Sequence, residues 1–460
     1  MATPFSVQGQ HVIVVGAARS GLAAIDLLQA RGARVTLADA APMFDGAEAL
    51  RVRGVAVDLG PHRPDQFLRA DLIVLSPGVP PDQEAMARAR QAGVPVIGEL
   101  ELASRWLKGR LVAITGTKGK STTTTLASRM LSEGGLDAPA GGNIGAALSA
   151  QVDASTDATV HVVESSSFQL ETIDTFHPWI AVLVNLSADH LDRHHTFEAY
   201  AAAKARIFEN QTADDWAVVN ADDPAALALA AGARARRFDF GLQASVVDGV
   251  TVEGQAIVRR DRGTSAPLVP LSAIQVPGRH LLSDVLAATA VGCLAGVPAD
   301  AMVRAVEGFQ GLAHALARVG TVQGVTFVDD SKATNIVSAT RAIESFERDV
   351  VVILGGKHKG GRFEDLRDVV KARCVAVVAL GEATPLVNAA LSDVVPVRQA
   401  TSMADAVRQA WGLAPVGGTV LLAPACASFD MFRDYAARGE AFVEEVRRLS
   451  DGQSSVLAPR

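Results

Sequence analysis

Between Leu111 and Met130 the chain reads LVAITGTKGKSTTTTLASRM, where apolar residues run into a glycine turn and Gly119-Lys120-Ser121 opens a helix-like run. A loop of backbone N–H groups at a helix N-terminus is an anion site. Gly116, Thr117, Lys118 and Gly119 would form that loop, Lys120 could reach phosphate oxygens, and the hydroxyl of Ser121 or Thr122 is available to magnesium. The form is the short G-x-x-G-K-[ST], less specific than the full Walker pattern. In TVHVVESSSFQL, Glu164 ends an apolar strand, where its carboxylate could hold the same ion or could merely cap a helix or face solvent. WIAVLVNLSADHLDRHH repeats the geometry, with His190 flanked by Asp189 and Asp192 as a candidate metal ligand, while His194 and His195 read as solvated loop residues. Lys204, in the helical run FEAYAAAKARIF, reads blandly as a surface lysine.

These residues need parallel strands to carry them, and the chain supplies three such segments. HVIVVGAARSGLAAIDLLQARGARVTLADA is strand, glycine turn, helix and strand, with Asp39 closing the second strand. Gly16, Ala18 and Gly21 occupy the three places of the G-x-G-x-x-G fingerprint, and the Cβ of Ala18 argues against a pyrophosphate pressed on the turn, hence against a redox dinucleotide. DLIVLS and VPVIG are further strands, and the loop Ser76 to Pro80 follows a strand end, where open parallel sheets place ligands. From Leu312 on, VTFVDDSKATN, DVVVILGGKHKGGRFEDL, CVAVVALG and TVLLAPACASFDMF again put polar residues after apolar strands. The expectation is an α/β protein of three domains: Rossmann-like over 1–107, a P-loop ATPase-like mixed sheet over 108–311, and Rossmann-like over 312–450, with a mobile tail over 451–460. Two substrates and a nucleotide would meet between the domains.

Composition narrows the class. At 460 residues the chain exceeds what one hydrophobic core usually supports. Its net charge of -7 argues against nucleic acid as a partner. Cys293, Cys374 and Cys426 are odd in number and far apart, which fits reduced thiols rather than a disulfide framework, and no zinc spacing occurs. No run approaches a membrane span and no leader pattern opens the chain, so a cytoplasmic protein is expected, and separately a monomer.

GTKGKST, GGNIG, VVESSSFQL, NLSADHLDRH, AAAKARIF, DDSKATN, GGKHKGGRF and PACASFDMF, in this order and spacing, resemble the Mur ligase family from about Val14 to Gly439. The resemblance implies an amide ligase in which ATP phosphorylates the carboxylate of UDP-N-acetylmuramoyl-L-alanine and the amine of D-glutamate attacks the acyl phosphate. It implies ATP and two Mg2+ sites, with Lys120, Glu164, His190 and a carbamylated Lys204 as the catalytic set and Ser121 or Thr122 as further metal ligands. Arg19, Ser20 and Asp39 would lie by the uridine, and Ser76, Gly78, Asn143 and Ser166 by the diphosphate and muramoyl end. Lys332, Thr334, Lys359, Ser428 and Tyr435 would hold the D-glutamate carboxylates, and Asp330 the ribose of ATP. The chain departs from the family at Lys118, where asparagine is common, at Ala315, where arginine usually follows the histidine, and at Leu281 and Asp284, where two asparagines usually stand near adenine. Other readings are a related ligase with a different acceptor, a non-catalytic nucleotide-binding descendant, and a dehydrogenase that rests on the N-terminal turn alone.

Overall fold

The computed structural model describes residues 5–274, 279–309, 311–358 and 360–456. The chain forms two compact units, one of residues 1–275 with 279–308 and the other of residues 276–278 with 309–460.

The first unit holds two sheets. Strands β1 (His11–Val15), β2 (Arg34–Asp39), β3 (Ala56–Leu59), β4 (Leu72–Leu75) and β5 (Val96–Gly98) pair in the order β3-β2-β1-β4-β5. Every pairing is parallel. The order reverses between β1 and β4, which is where the loops after Val15 and Leu75 emerge and where an open sheet offers its crevice. The second sheet contains β6 (Arg110–Thr115), β7 (Ala140–Gly142), β8 (Val160–Glu164), β9 (Ile180–Leu183), β10 (Trp216–Asn220), β11 (Arg236–Gly241), β12 (Asp248–Glu253), β13 (Ala256–Asp261) and β14 (Thr264–Pro270), in the order β14-β13-β12-β11-β10-β9-β6-β8-β7. From β7 to β12 it is parallel, and β12, β13 and β14 form an antiparallel extension. Strands β6, β8, β9 and β10 are buried almost throughout, because helices cover both faces and leave no wet side for polar residues. Consequently β6, β8 and β9 all deliver polar residues at one edge of the sheet, where Gly116, Glu164 and the loop to His190 lie.

Polar clamps join the two sheets within this unit. Glu101, on the short helix Glu99–Ser104 after β5, is fully buried. Its carboxylate accepts the backbone N–H groups of Asp174, Thr175 and Phe176, the Thr175 hydroxyl and Arg105 Nε. Burial pushes its pKa up, but these donors outweigh burial and hold it below the usual carboxylate value. Glu99 accepts the Ser149 N–H at 2.6 Å, and the Gly98 N–H donates to the Thr172 carbonyl at 3.1 Å.

The second unit has one sheet of β15 (Ala317–Val322), β16 (Val325–Asp329), β17 (Val350–Gly355), β18 (Cys374–Leu380), β19 (Val397–Ala400) and β20 (Thr419–Leu422), in the order β15-β16-β20-β17-β18-β19. Only β15 runs antiparallel to its neighbour. The chain is thus α/β throughout, with three sheets in chain order: one parallel, one mixed and one predominantly parallel. Where the sequence reading begins a patternless tail at 451, the helix Tyr435–Val456 is still running, and residues 457–460 lie outside the described ones.

Candidate active site

The candidate phosphate loop links β6 to the helix Lys120–Glu133. Gly119 is the N-cap at φ +78°, a left-handed conformation in which a side chain is strained, and Gly116 is at φ +156°. Asn185 fixes the loop from the β9 side, accepting the Lys118 N–H through Oδ1 and donating to the Lys118 carbonyl through Nδ2, each at 2.9 Å. Lys118 thereby takes part through its backbone. Thr117 accepts the Tyr200 hydroxyl at 3.0 Å and donates to the Ser187 carbonyl at 3.0 Å. Lys120 Nζ turns back onto the carbonyls of Gly116 and Thr117, at 3.0 and 2.9 Å. A flexible ammonium stored on carbonyls beside a ring of N–H groups can be transferred to an anion without entering bare water.

Lys204 is the main surprise of the site. The bland reading as a surface lysine fails: it is 1% exposed, and its Nζ donates to the Gly116 carbonyl at 2.7 Å and to Thr115 Oγ1 at 3.4 Å. Burial first, and then the like charge of Lys120, bring its pKa down to about 6, against the pull of Asp189 and Glu164. At neutral pH it is therefore a free amine held against the phosphate loop. Tyr200, one helical turn earlier, lies with its ring centroid 4.8 Å from Lys204 Nζ. Burial moves its phenol up to about 12.

Glu164, 2% exposed at the end of β8, neither caps a helix nor faces solvent. Asn143 Nδ2 donates to its Oε1 at 2.7 Å, while Oε2 is buried without a hydrogen-bond partner. A buried carboxylate oxygen left in this way is costly unless a cation completes it. Ser121 and Thr122, in the first turn of the helix, offer hydroxyls of the same hard character. His190, exposed at φ +51°, has its Nε2 3.9 Å from Asp189 and its ring edge-on to Phe168. Among the described residues no group of three His, Cys, Asp or Glu side chains assembles for a metal, so cation binding here needs hydroxyls or a modified Lys204 to complete the ligand set.

His194 departs from its expected solvation. It is 5% exposed, stacks on Phe168, lies 2.9 Å from Ser167 Oγ and pairs with Glu171 at 3.2 Å. A short helix, Leu191–His194, turns it inward, whereas His195 beyond it is exposed as expected.

In the N-terminal sheet, Asp39 has both oxygens engaged, with Oδ2 accepting the Ala17 N–H at 2.6 Å and Oδ1 that of Ala41 at 2.8 Å. Ser76 Oγ donates to the Gly16 carbonyl, so the β1 and β4 loops are tied across the crevice. Arg19 and Ser20 open the helix Arg19–Ala30, and Arg19 and Gly78 are exposed. Ser166 is the N-cap of Ser167–Leu170 in a capping box with Gln169.

Asp284, 4% exposed on the helix Arg279–Leu294, places its carboxyl against Gly119, where an added Cβ would overlap it. Leu281 of the same helix is buried.

In the second unit, Asp330 follows β16 and accepts the Leu316 N–H, and burial chiefly, with neighbouring Asp329, raises its pKa to about 7. Lys332 is exposed and Thr334 half-buried; Ser428 is buried, and Tyr435 is exposed. Ala315 precedes the β15 strand. Lys359 lies outside the described residues. Sequence reasoning missed Arg438. It is 2% exposed and donates to Ser331 Oγ, the Ser331 carbonyl and the Cys426 carbonyl, so it binds the DDSKATN and PACASFD loops together. Its only sequence signal is a lone arginine in an otherwise apolar helix turn. Sequence reasoning missed Tyr200 as well, whose place one helical turn before Lys204 is the signal that could have found it.

Residues 10–98 match the Mur ligase MurD-like N-terminal domain, 114–292 the Mur ligase middle domain, and 316–426 the Mur ligase glutamate ligase domain. The chain is 44% identical over 445 residues to the UDP-N-acetylmuramoylalanine--D-glutamate ligase of Acidobacterium capsulatum, covering 96% of each chain. It is 42% identical to the ligase of that name from Koribacter versatilis, covering 97% of this chain and 99% of the relative. Among solved structures, the UDP-N-acetylmuramate-alanine ligase of Thermotoga maritima aligns at a TM-score of 0.59 and 19% identity over 95% of this chain and 99% of its own. The MurF ligase of Thermotoga maritima in complex with ADP aligns at 0.58 and 16%, over 97% and 96%. With full-length relatives above 40% identity and all three domain types matched in order, the chain belongs to the Mur ligase family.

Proposed function

We propose that this chain is an ATP-dependent ligase that joins D-glutamate to UDP-N-acetylmuramoyl-L-alanine through an acyl phosphate. The observation that carries the reading is the buried neutral Lys204 on the Gly116 carbonyl, inside a phosphate loop that also holds Lys120. The relatives' names supply the substrate pair. Phosphoryl transfer between two anions is limited by charge, so a preorganised cation accounts for much of the rate. Lys120 would leave its two carbonyls for the γ-phosphate oxygens as a substrate carboxylate oxygen attacks and ADP departs. The amine of D-glutamate then attacks the acyl carbon, loses a proton, and inorganic phosphate leaves.

The donor set fits magnesium, through the partnerless Glu164 Oε2 and the Ser121 or Thr122 hydroxyl at one site and His190 with Lys204 at another. Bound there, the ion would neutralise charge on the transferring phosphoryl oxygens. Lys204 can join that set only as an anion. Its neutral amine would add to carbon dioxide, forming an N–C bond and releasing one proton, which gives a carbamate at the Gly116 carbonyl's edge. Lys332, Lys359 and Ser428 would hold the D-glutamate carboxylates, with Thr334 and Tyr435 beside them, and Asp330 would take the ATP ribose. Charge-assisted donors suit a dicarboxylate. Arg19, Ser20, Ser76, Gly78, Asn143 and Ser166 would line the path of the UDP substrate, Asp39 acting by shaping the β1 loop that it holds.

Phosphate release from ATP measured with each substrate alone and with both tests this reading. Release that requires both is expected. Phosphate release that ignores the muramoyl nucleotide, or an acceptor preference for L-glutamate or D-aspartate, would overturn it.

A further inference from the structure

The helix Arg279–Leu294 packs along the helix Lys120–Glu133, and at its N-terminal end it presses an acid onto the phosphate loop. Asp284 is almost wholly buried, and its carboxyl fills the space beside Gly119 where a Cβ would otherwise project. Gly119 is the N-cap whose following N–H groups would receive phosphate oxygens. A titratable acid therefore stands at the rim of an anion site. Among the described residues the charged neighbour that acts on it is Lys120, and no charge on β10, β11, β12 or the helix Ala299–Glu307, which also pack on this helix, shifts it.

We propose that Asp284 is a proton-linked positioning residue for the phosphate loop: as a neutral acid it seats Gly119 and leaves the anion site to the nucleotide, and as a carboxylate it competes with the nucleotide's phosphates. The inference rests on the loop being the nucleotide site. Burial raises the acid to about 8 despite Lys120, so it is mostly protonated at neutral pH. Bound phosphates add negative charge beside it and raise it further. Between the two values, binding takes up one proton. Affinity is then full below about 8 and is lost as pH rises through it. Above about 8, Lys204, lowered to about 6, is already a free amine, and Tyr200, raised to about 12, is still a phenol.

ADP binding to the full chain, measured by calorimetry from pH 6.5 to 9.5 in chelator, tests the idea. Above about pH 8 the dissociation constant should rise toward tenfold per pH unit, the limit for one linked proton. Asp284→Asn should flatten the profile to within twofold. In buffers of different ionisation enthalpy the unaltered chain should take up close to one proton per ADP at pH 9, a readout that needs no variant. Parallel profiles for the two proteins, or no proton uptake, would overturn the proposal. Absence of ADP binding by both at pH 6.5 would instead remove the nucleotide site itself, and this inference with it.

Discussion

A lysine can serve as a cation, a nucleophile or a proton acceptor, and burial decides which. Lys204 is in the last two classes at neutral pH, whereas Lys120, half-buried, donates to two carbonyls. Lys120→Ala should lower turnover by at least ~10²-fold, the usual loss for an electrostatic group at a transferring phosphoryl. Retention of a tenth of the parent's activity would refute its role. Lys204→Ala should fold, be nearly inactive, and recover in part with small carboxylic acids, which replace a carbamate; equal activity without additives would make the lysine merely structural. The motif around Lys120 announced itself in the sequence because glycine, lysine and hydroxyl spacing is dictated by phosphate geometry. Lys204 and His194 did not, since alanines beside one and polar residues beside the other hide which face turns inward.

At the scale of elements, strand ends were legible and helix packing was not. Apolar runs ending in Asp39, Ser76, Glu164 and Asp330 marked parallel strands because a sheet covered on both faces tolerates polarity only at its ends. No such rule tells which helix lies across the phosphate loop, so the approach of Asp284 to Gly119 emerges only in three dimensions. That approach makes a prediction. Gly119→Ala meets both the φ of +78° and the Asp284 carboxyl, so it should abolish ADP binding and lower the melting temperature by several degrees, for strain of about 1 to 3 kcal/mol. An Asp284→Ala background should recover part of the lost melting temperature, since the clash goes and the backbone strain stays; no recovery would mean that the acid does not crowd the loop. In the second unit, Ser428→Ala should raise the KM for D-glutamate and leave that for ATP within twofold, as measured by initial rates.

For the whole molecule, two buried groups on the same loop pull stability in opposite directions with pH. Asp284 moves from an ordinary 3.8 to about 8 in the fold, so between those values the folded chain binds the extra proton and stability falls as pH rises. Lys204 moves from 10.5 to about 6, so there the unfolded chain binds the extra proton and stability rises with pH. Each slope is about 1.4 kcal/mol per pH unit. Their sum cancels from about 6 to 8. Urea unfolding in carbon dioxide-free buffer should therefore show no pH dependence from this pair over that range, while Asp284→Asn should gain stability relative to the parent as pH rises and Lys204→Met should lose it. Parallel pH profiles for all three would show that neither group is perturbed. The carboxylate of Glu101, satisfied by three successive N–H groups of another stretch of chain, has a consequence for anyone dissecting this protein. A gene fragment ending at 107 would encode an intact five-stranded sheet yet leave Glu99 and Glu101 stripped of their donors from Ser149 and 174–176. Such a piece should express poorly and precipitate, and co-expression with the stretch 108–308 should return it to solution, so the useful place to divide the chain lies at 308 and not at 107.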